Sequence, residues 1–139
     1  MLTIHSSPLQ GFTDFRFRNA FQRFFGGIDQ YIAPYIRVNG NLEIKPGNKR
    51  DILPANNSTL NLIPQIITKN ADEFLFVAKY VQKLGFTELN WNLGCPYPDL
   101  KICLQFIHRP YRDLLIFDFV MPFKGFLEGS TNILLHIYE

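Results

Sequence analysis

The sequence predicts an α/β fold built on parallel strands. Three observations carry this expectation. Short runs carrying apolar or aromatic residues recur at residues 2–5, 28–36, 62–67 and 86–92. Two of the three intervals between them hold apolar residues at helical spacing. Turn or capping residues stand at the boundaries, where a strand must hand over to a helix. Strand, helix, strand, loop, strand, helix, strand is an order that implies parallel pairing with right-handed crossovers.

Taken in order, residues 2–5 form the first strand and 6–11 a turn, with Pro8 and Gly11 suited to a tight loop at a strand's C-terminal end. Thr13 or Asp14 can cap the helix that follows. Phe17, Ala20, Phe21 and Phe24 recur on one face of it, and Gly26-Gly27 ends it. Arg16, Arg18 and Arg23 fall mostly off that face and are expected in solvent. The 14 phenylalanines read as core filling.

Residues 28–36 form the second strand. Residues 37–61 are rich in Asn, Gly and Pro, with Lys45, Lys49 and Arg50 close together, and are expected to be a long loop. The third strand is 62–67. Asn70 followed by Glu73 is a capping pair for a second helix, with Phe74, Val77, Ala78 and Val81 as its buried stripe. Lys79 and Lys83 suit its C-terminal half, and Gly85 caps it.

The fourth strand leads into the most distinctive stretch, Leu-Asn-Trp-Asn-Leu-Gly-Cys-Pro-Tyr-Pro at 89–98. Leu89, Trp91 and Leu93 alternate with Asn90 and Asn92, which is strand periodicity. Gly94, Pro96 and Pro98 then forbid a further ladder. Cys95 sits where the strand becomes a loop, the end at which parallel α/β folds bind ligands. A lone Cys also serves commonly as a small buried hydrophobe. Against that, a core Cys needs no such turn around it.

At 139 residues the chain makes at most one domain, long enough to bury a sizeable core. A net charge of +2 is weaker than the basic patch of a dedicated nucleic-acid domain. Two cysteines make no disulfide framework, and Cys95 and Cys103 lack the close spacing of a zinc pair, so no metal is expected. Residues 1–20 carry no basic segment ahead of an apolar run, so no secretory signal is expected. The apolar stretch at 114–123 is broken by Asp118 and Pro122, short of a membrane span. A cytoplasmic location is the expectation.

Asn-Trp-Asn-Leu-Gly-Cys-Pro at 90–96 resembles the Asn-x-Gly-Cys-Pro signature of the tRNA-dihydrouridine synthases, flavin enzymes that reduce uridine in tRNA. Ser-Pro-Leu-Gln-Gly-Phe-Thr-Asp at 7–14 resembles their opening Ala-Pro-Met-x-Gly-x-Thr-Asp. Gln65 matches their strand-borne Gln. All three are in the right order and spacing, and the resemblance covers residues 2–98. It implies a (β/α)₈ TIM barrel with FMN as cofactor and NADPH as the hydride source. Such a barrel takes about 250 residues. The expectation is therefore the first half of a barrel over 1–98, followed by a non-family apolar tail at 99–139.

The resemblance also implies roles. Cys95 would be the acid that protonates C5 of uridine as hydride reaches C6, since a thiol with a pKa near about 8.5 is protonated at neutral pH yet yields its proton readily. Asn92 would face the uracil edge. Pro8, Leu9 and Gln10 would line the flavin, with their backbone on its polar edge, and Gln65 would bond its nitrogen and oxygen edge. The basic 37–61 loop could meet a tRNA phosphate, although a solvated loop fits the sequence as well. Ser7 for Ala, Leu9 for Met and Asn90 for Asp are departures from the family pattern. Lys101 and His108 do not stand in matching contexts and take no role. Alternatives are a non-catalytic remnant without productive flavin or tRNA binding, a half-barrel that associates with itself or a partner chain through open sheet edges, and a different flavin-binding barrel. The Gly-Cys-Pro turn argues against the last.

Overall fold

The structure, a computed structural model, describes residues 2–92, 116–122 and 134–138 of the chain. In chain order its elements are β1 (His5–Ser6), α1 (Phe15–Phe24), β2 (Gln30–Ile32), β3 (Val38–Asn39), β4 (Glu43–Ile44), α2 (Pro46–Asp51), a 3₁₀ turn (Pro54–Asn56), β5 (Leu62–Ile63), β6 (Gln65–Ile67), α3 (Ala71–Lys83), β7 (Glu88–Asn92), β8 (Ile116–Pro122) and β9 (Leu134–Tyr138).

β1 pairs parallel with β2, β2 with β5, and β6 with β7. The expected third strand is one run of chain divided by Pro64, which has no N–H to give a ladder. The run still binds on both sides. Ala33 N donates to Ile63 O at 2.9 Å and Ile36 N to Gln65 O at 2.7 Å, while Asn90 N donates to Pro64 O at 2.9 Å. The four expected strands thus lie side by side in sequence order, all parallel, with their carboxyl ends at one side of the sheet.

The helices show why these residues fold as they do. Asp14 caps α1 by accepting from Arg16 N and Phe17 N at 3.0 and 3.2 Å, and Asn70 caps α3 by accepting from Asp72 N and Glu73 N at 2.8 and 3.2 Å. The Asn70–Glu73 pair closes through Thr68, whose hydroxyl accepts from Asn70 N at 3.0 Å and donates to the Glu73 carboxylate. α3 buries Phe74, Val77, Ala78 and Val81, as its spacing predicts. They pack in one core with Ile36, Ile44, Ile52, Ile66 and Leu89. Among the described residues no helix is long and apolar enough to cross a membrane.

α1 corrects the sequence expectation. Its buried residue is Arg18, 1% exposed, while Phe17 and Ala20 are exposed and Phe24 and Phe25 are 72% and 78% exposed. Arg18 can be buried because its charge and its two terminal nitrogens are met, although its Nε has no partner among the described residues. Nη1 reaches Asp51 Oδ2 at 3.2 Å and Thr13 O at 2.8 Å. Nη2 reaches Asp51 O, Asp51 Oδ1 and Asn57 Oδ1 at 2.9, 3.2 and 3.0 Å. Of the predicted stripe Phe21 is half-buried and packs against the core, and the Phe17 and Phe25 rings lie beside it with centroids 5.9 and 5.1 Å away. Arg16 and Arg23 are exposed, as expected.

The 37–61 segment is likewise not a bare loop. It forms the antiparallel pair β3–β4, then α2 and the 3₁₀ turn, and buries Val38, Ile44 and Ile52. It is the crossover that a parallel β2–β5 pair requires. The tail departs from an all-parallel sheet. β8 pairs antiparallel with β7 from Asn92↔Asp118 to Glu88↔Pro122, and β9 pairs antiparallel with β8. The outer edge of β7 is therefore occupied. Among the described residues β1 has no strand on its outer side.

Candidate active site

The parallel pairing of β6 with β7 sets Gln65 opposite Asn90 and Ile67 opposite Asn92. Strand alternation then gives two unlike faces. On one, Leu89 joins the core and Trp91 stacks on Phe74 with centroids 4.7 Å apart, its indole N–H donating to Thr68 O at 3.0 Å. On the other stands a row of amides. Gln65 Nε2 donates to Asn90 Oδ1 at 2.8 Å, and Asn92 Nδ2 donates to Gln65 Oε1 at 3.5 Å. Gln65 and Asn90 are both fully buried. The row is uncharged and directional. Its far end is the Asn90 Nδ2 group, which is buried with no hydrogen-bond partner among the described residues. A buried amide donor left unpaired costs about 1–3 kcal/mol, and such a group calls for an acceptor.

The first turn leaves the carboxyl end of β1, at the same side of the sheet. Thr13 stitches it together. Leu9 N donates to Thr13 Oγ1 at 2.9 Å, and Leu9 O accepts from Phe12 N and Thr13 N at 3.0 and 3.1 Å. Gly11 takes φ +83°, a conformation that disfavours other residues. The Leu9 backbone is thus engaged within the turn, and Pro8 has no N–H. The Pro8 and Gln10 backbone and the exposed Gln10 side-chain amide remain to meet a ligand. Pro8 is half-buried; Leu9 and Gln10 are exposed.

The structure therefore joins Gln65 to Asn92 directly and puts the Pro8–Gln10 turn at the same side. Cys95 and the Gly94–Pro98 turn lie outside the described residues, as do Lys101, Cys103 and His108. Sequence reasoning treated Asn90 as no more than a departure, and its place as Gln65's partner went unread. The signal was the two-residue spacing from Asn92, which puts both amides on one face. Among the described residues no group of three or more His, Cys, Asp or Glu could hold a metal.

A family model described as dihydrouridine synthase (Dus) matches residues 5–104. The chain belongs to the dihydrouridine synthase family. No curated protein and no solved structure matches it. At the level of the family, dihydrouridine synthases are TIM-barrel proteins that reduce uridine in tRNA with FMN. The matched span contains both the amide row and the Thr13-stitched turn. The parallel order of β1, β2, β5–β6 and β7 agrees with the first strands of such a fold.

The fit of this dihydrouridine synthase segment to a flavin can be judged from the amide row. The pyrimidine edge of a flavin alternates ring N–H and carbonyl groups. A chain of neutral amides can match both kinds, since each carries an acceptor and two donors. The unpartnered Asn90 Nδ2 supplies a buried donor of the kind a carbonyl would need. The residues present fit that edge of the cofactor.

Proposed function

We propose that this chain is a tRNA-dihydrouridine synthase segment, with residues 1–98 forming the first half of a flavin-binding barrel. The observation that carries the proposal is the buried amide row Gln65–Asn90–Asn92 within the family span. Gln65 would hold the nitrogen and oxygen edge of FMN, and the turn at Pro8, Leu9 and Gln10 would line its ring. FMN when bound supplies hydride chemistry, with NADPH as the source of reducing equivalents. The chain's own residues bind, orient and move a proton. Asn92 meets the edge of a uracil that has left its stack. Cys95 gives its thiol proton to C5 of that base.

The test is dihydrouridine formation on unmodified tRNA with NADPH and FMN. Cys95→Ala should abolish turnover while bound flavin is retained. Unchanged turnover in that variant would remove Cys95 from the reaction.

A second reading has its own observation. Leu2, Ile4, Leu9, Phe12, Phe17, Phe24 and Phe25 are all exposed, and all belong to β1, the first turn or α1 and their flanks. A half-barrel completed by another chain along β1 would cover them. Flavin binding that appears only above a threshold protein concentration would favour this reading.

A further inference from the structure

We infer that the 37–56 crossover is a preformed phosphate-contacting platform for the RNA substrate, which deepens the function proposed above and rests on it. Arg37, Lys45, Lys49 and Arg50 are all exposed. The segment holds two acids, Glu43 and Asp51. Asp51 is spent internally, its carboxylate and backbone carbonyl bound to the buried Arg18. The ion pair therefore removes one of the two negative charges from this surface and leaves four exposed cations against Glu43. Four of the chain's 14 Lys and Arg lie in this segment, against two of its 12 Asp and Glu.

The same contacts make the platform rigid and place it. Asp51 Oδ1 accepts from Phe15 N at 2.6 Å, Asn19 Nδ2 donates to Asn56 O at 2.8 Å, and Asn57 Nδ2 donates to Asp51 O at 2.9 Å. Phe15 is the first residue of α1, directly after the turn that carries Pro8, Leu9 and Gln10. Lys49 and Arg50 adjoin Asp51 in sequence and so stand beside that turn's end. On the other flank the Lys49 ammonium lies 5.9 Å from the Tyr80 ring of α3. Lys49 follows Lys45 by one helical turn. Exposed cations on an ordered segment suit the phosphates of a nucleic-acid backbone and position it without reading its sequence. Because the crossover is already ordered, little entropy is lost when the RNA docks.

The test is binding of a fluorescently labelled, unmodified tRNA transcript to the full chain across a salt series. The Lys45→Ala/Lys49→Ala/Arg50→Ala variant should lower the slope of log K against log salt by about 2–3, at roughly 0.7–0.9 per lost phosphate contact. Glu43→Lys should steepen it by about 1. Thermal melts should show both variants folded, since all four side chains are exposed. Wild-type binding whose salt slope is the same in both variants overturns the platform alone. Absence of tRNA binding by a wild-type chain that retains FMN also overturns it, and leaves the flavin site standing. Absence of both overturns the functional reading with it.

Discussion

Gln65 and Asn90 share a 2.8 Å hydrogen bond between fully buried amides on neighbouring parallel strands. Gln65 also accepts from Asn92 Nδ2 at 3.5 Å, so this bond is one link of the row. Gln65→Leu should cost about 1–3 kcal/mol in urea unfolding, because it takes the donor from the buried Asn90 carbonyl, and Asn90→Leu should cost less, because it also removes the unpaired Nδ2 donor. The double variant should cost clearly less than the sum, since both polar groups go together. Additive losses would show that the two amides are not coupled.

The Arg18–Asp51 pair should be the most sensitive point outside the apolar core. Arg18→Met leaves the Asp51 carboxylate partly buried without its counter-charge, a change that typically costs about 3–5 kcal/mol. It also frees the crossover from α1, so protease cleavage should appear within 37–56. A loss under about 1 kcal/mol with no new cleavage would contradict the latch.

Burial pushes the Tyr31 phenol above its ordinary value of 10.0. Its hydroxyl donates to Gln22 Oε1 at 2.9 Å, tying β2 to α1. The folded state thus holds this proton more tightly than the unfolded chain does. The contribution is fully present below pH 10 and is lost as pH rises through the folded value, because the unfolded phenol ionises first. Tyr31→Phe should flatten the fall in stability above pH 10 and cost about 1 kcal/mol at neutral pH for the lost hydrogen bond. An unchanged alkaline slope in Tyr31→Phe would assign that slope to other groups.

Phe24 and Phe25 are mostly in solvent, unlike Val81 on α3. Phe24→Ser and Phe25→Ser should each change stability by about 0.5 kcal/mol or less. Val81→Ala should cost more than 1 kcal/mol through the cavity it leaves. Completion of the half-barrel through this face predicts concentration-dependent association of the wild type in sedimentation, weakened in the Phe24→Ser/Phe25→Ser variant. Association equal to wild type would place the contact elsewhere.

The parallel α/β plan was legible because strand and helix periods alternate cleanly, and α3 was read residue for residue. α1 was misread for a physical reason. Its phenylalanines repeat at helical spacing, yet Arg18 occupies the buried position, and burying an arginine depends on Asp51 and Asn57, both more than 30 residues away. No local pattern reveals such a partner. The 37–61 segment hid its structure in the same way. Its Asn, Gly and Pro content signals turns, while its order comes from Ile44 and Ile52 reaching the core and from the Arg18 latch. In the candidate site, Gln65 and Asn92 were found through motifs. Asn90 joined them only once the register of β6 against β7 was known.

The most direct measurement is flavin absorbance after FMN-saturated full chain passes a desalting column, for the wild type and for Gln65→Leu, with far-UV circular dichroism to show that both are folded. A flavin seat on the amide row predicts a yellow wild-type protein and a colourless Gln65→Leu. A colourless wild type, or equal flavin in the two proteins, would contradict it.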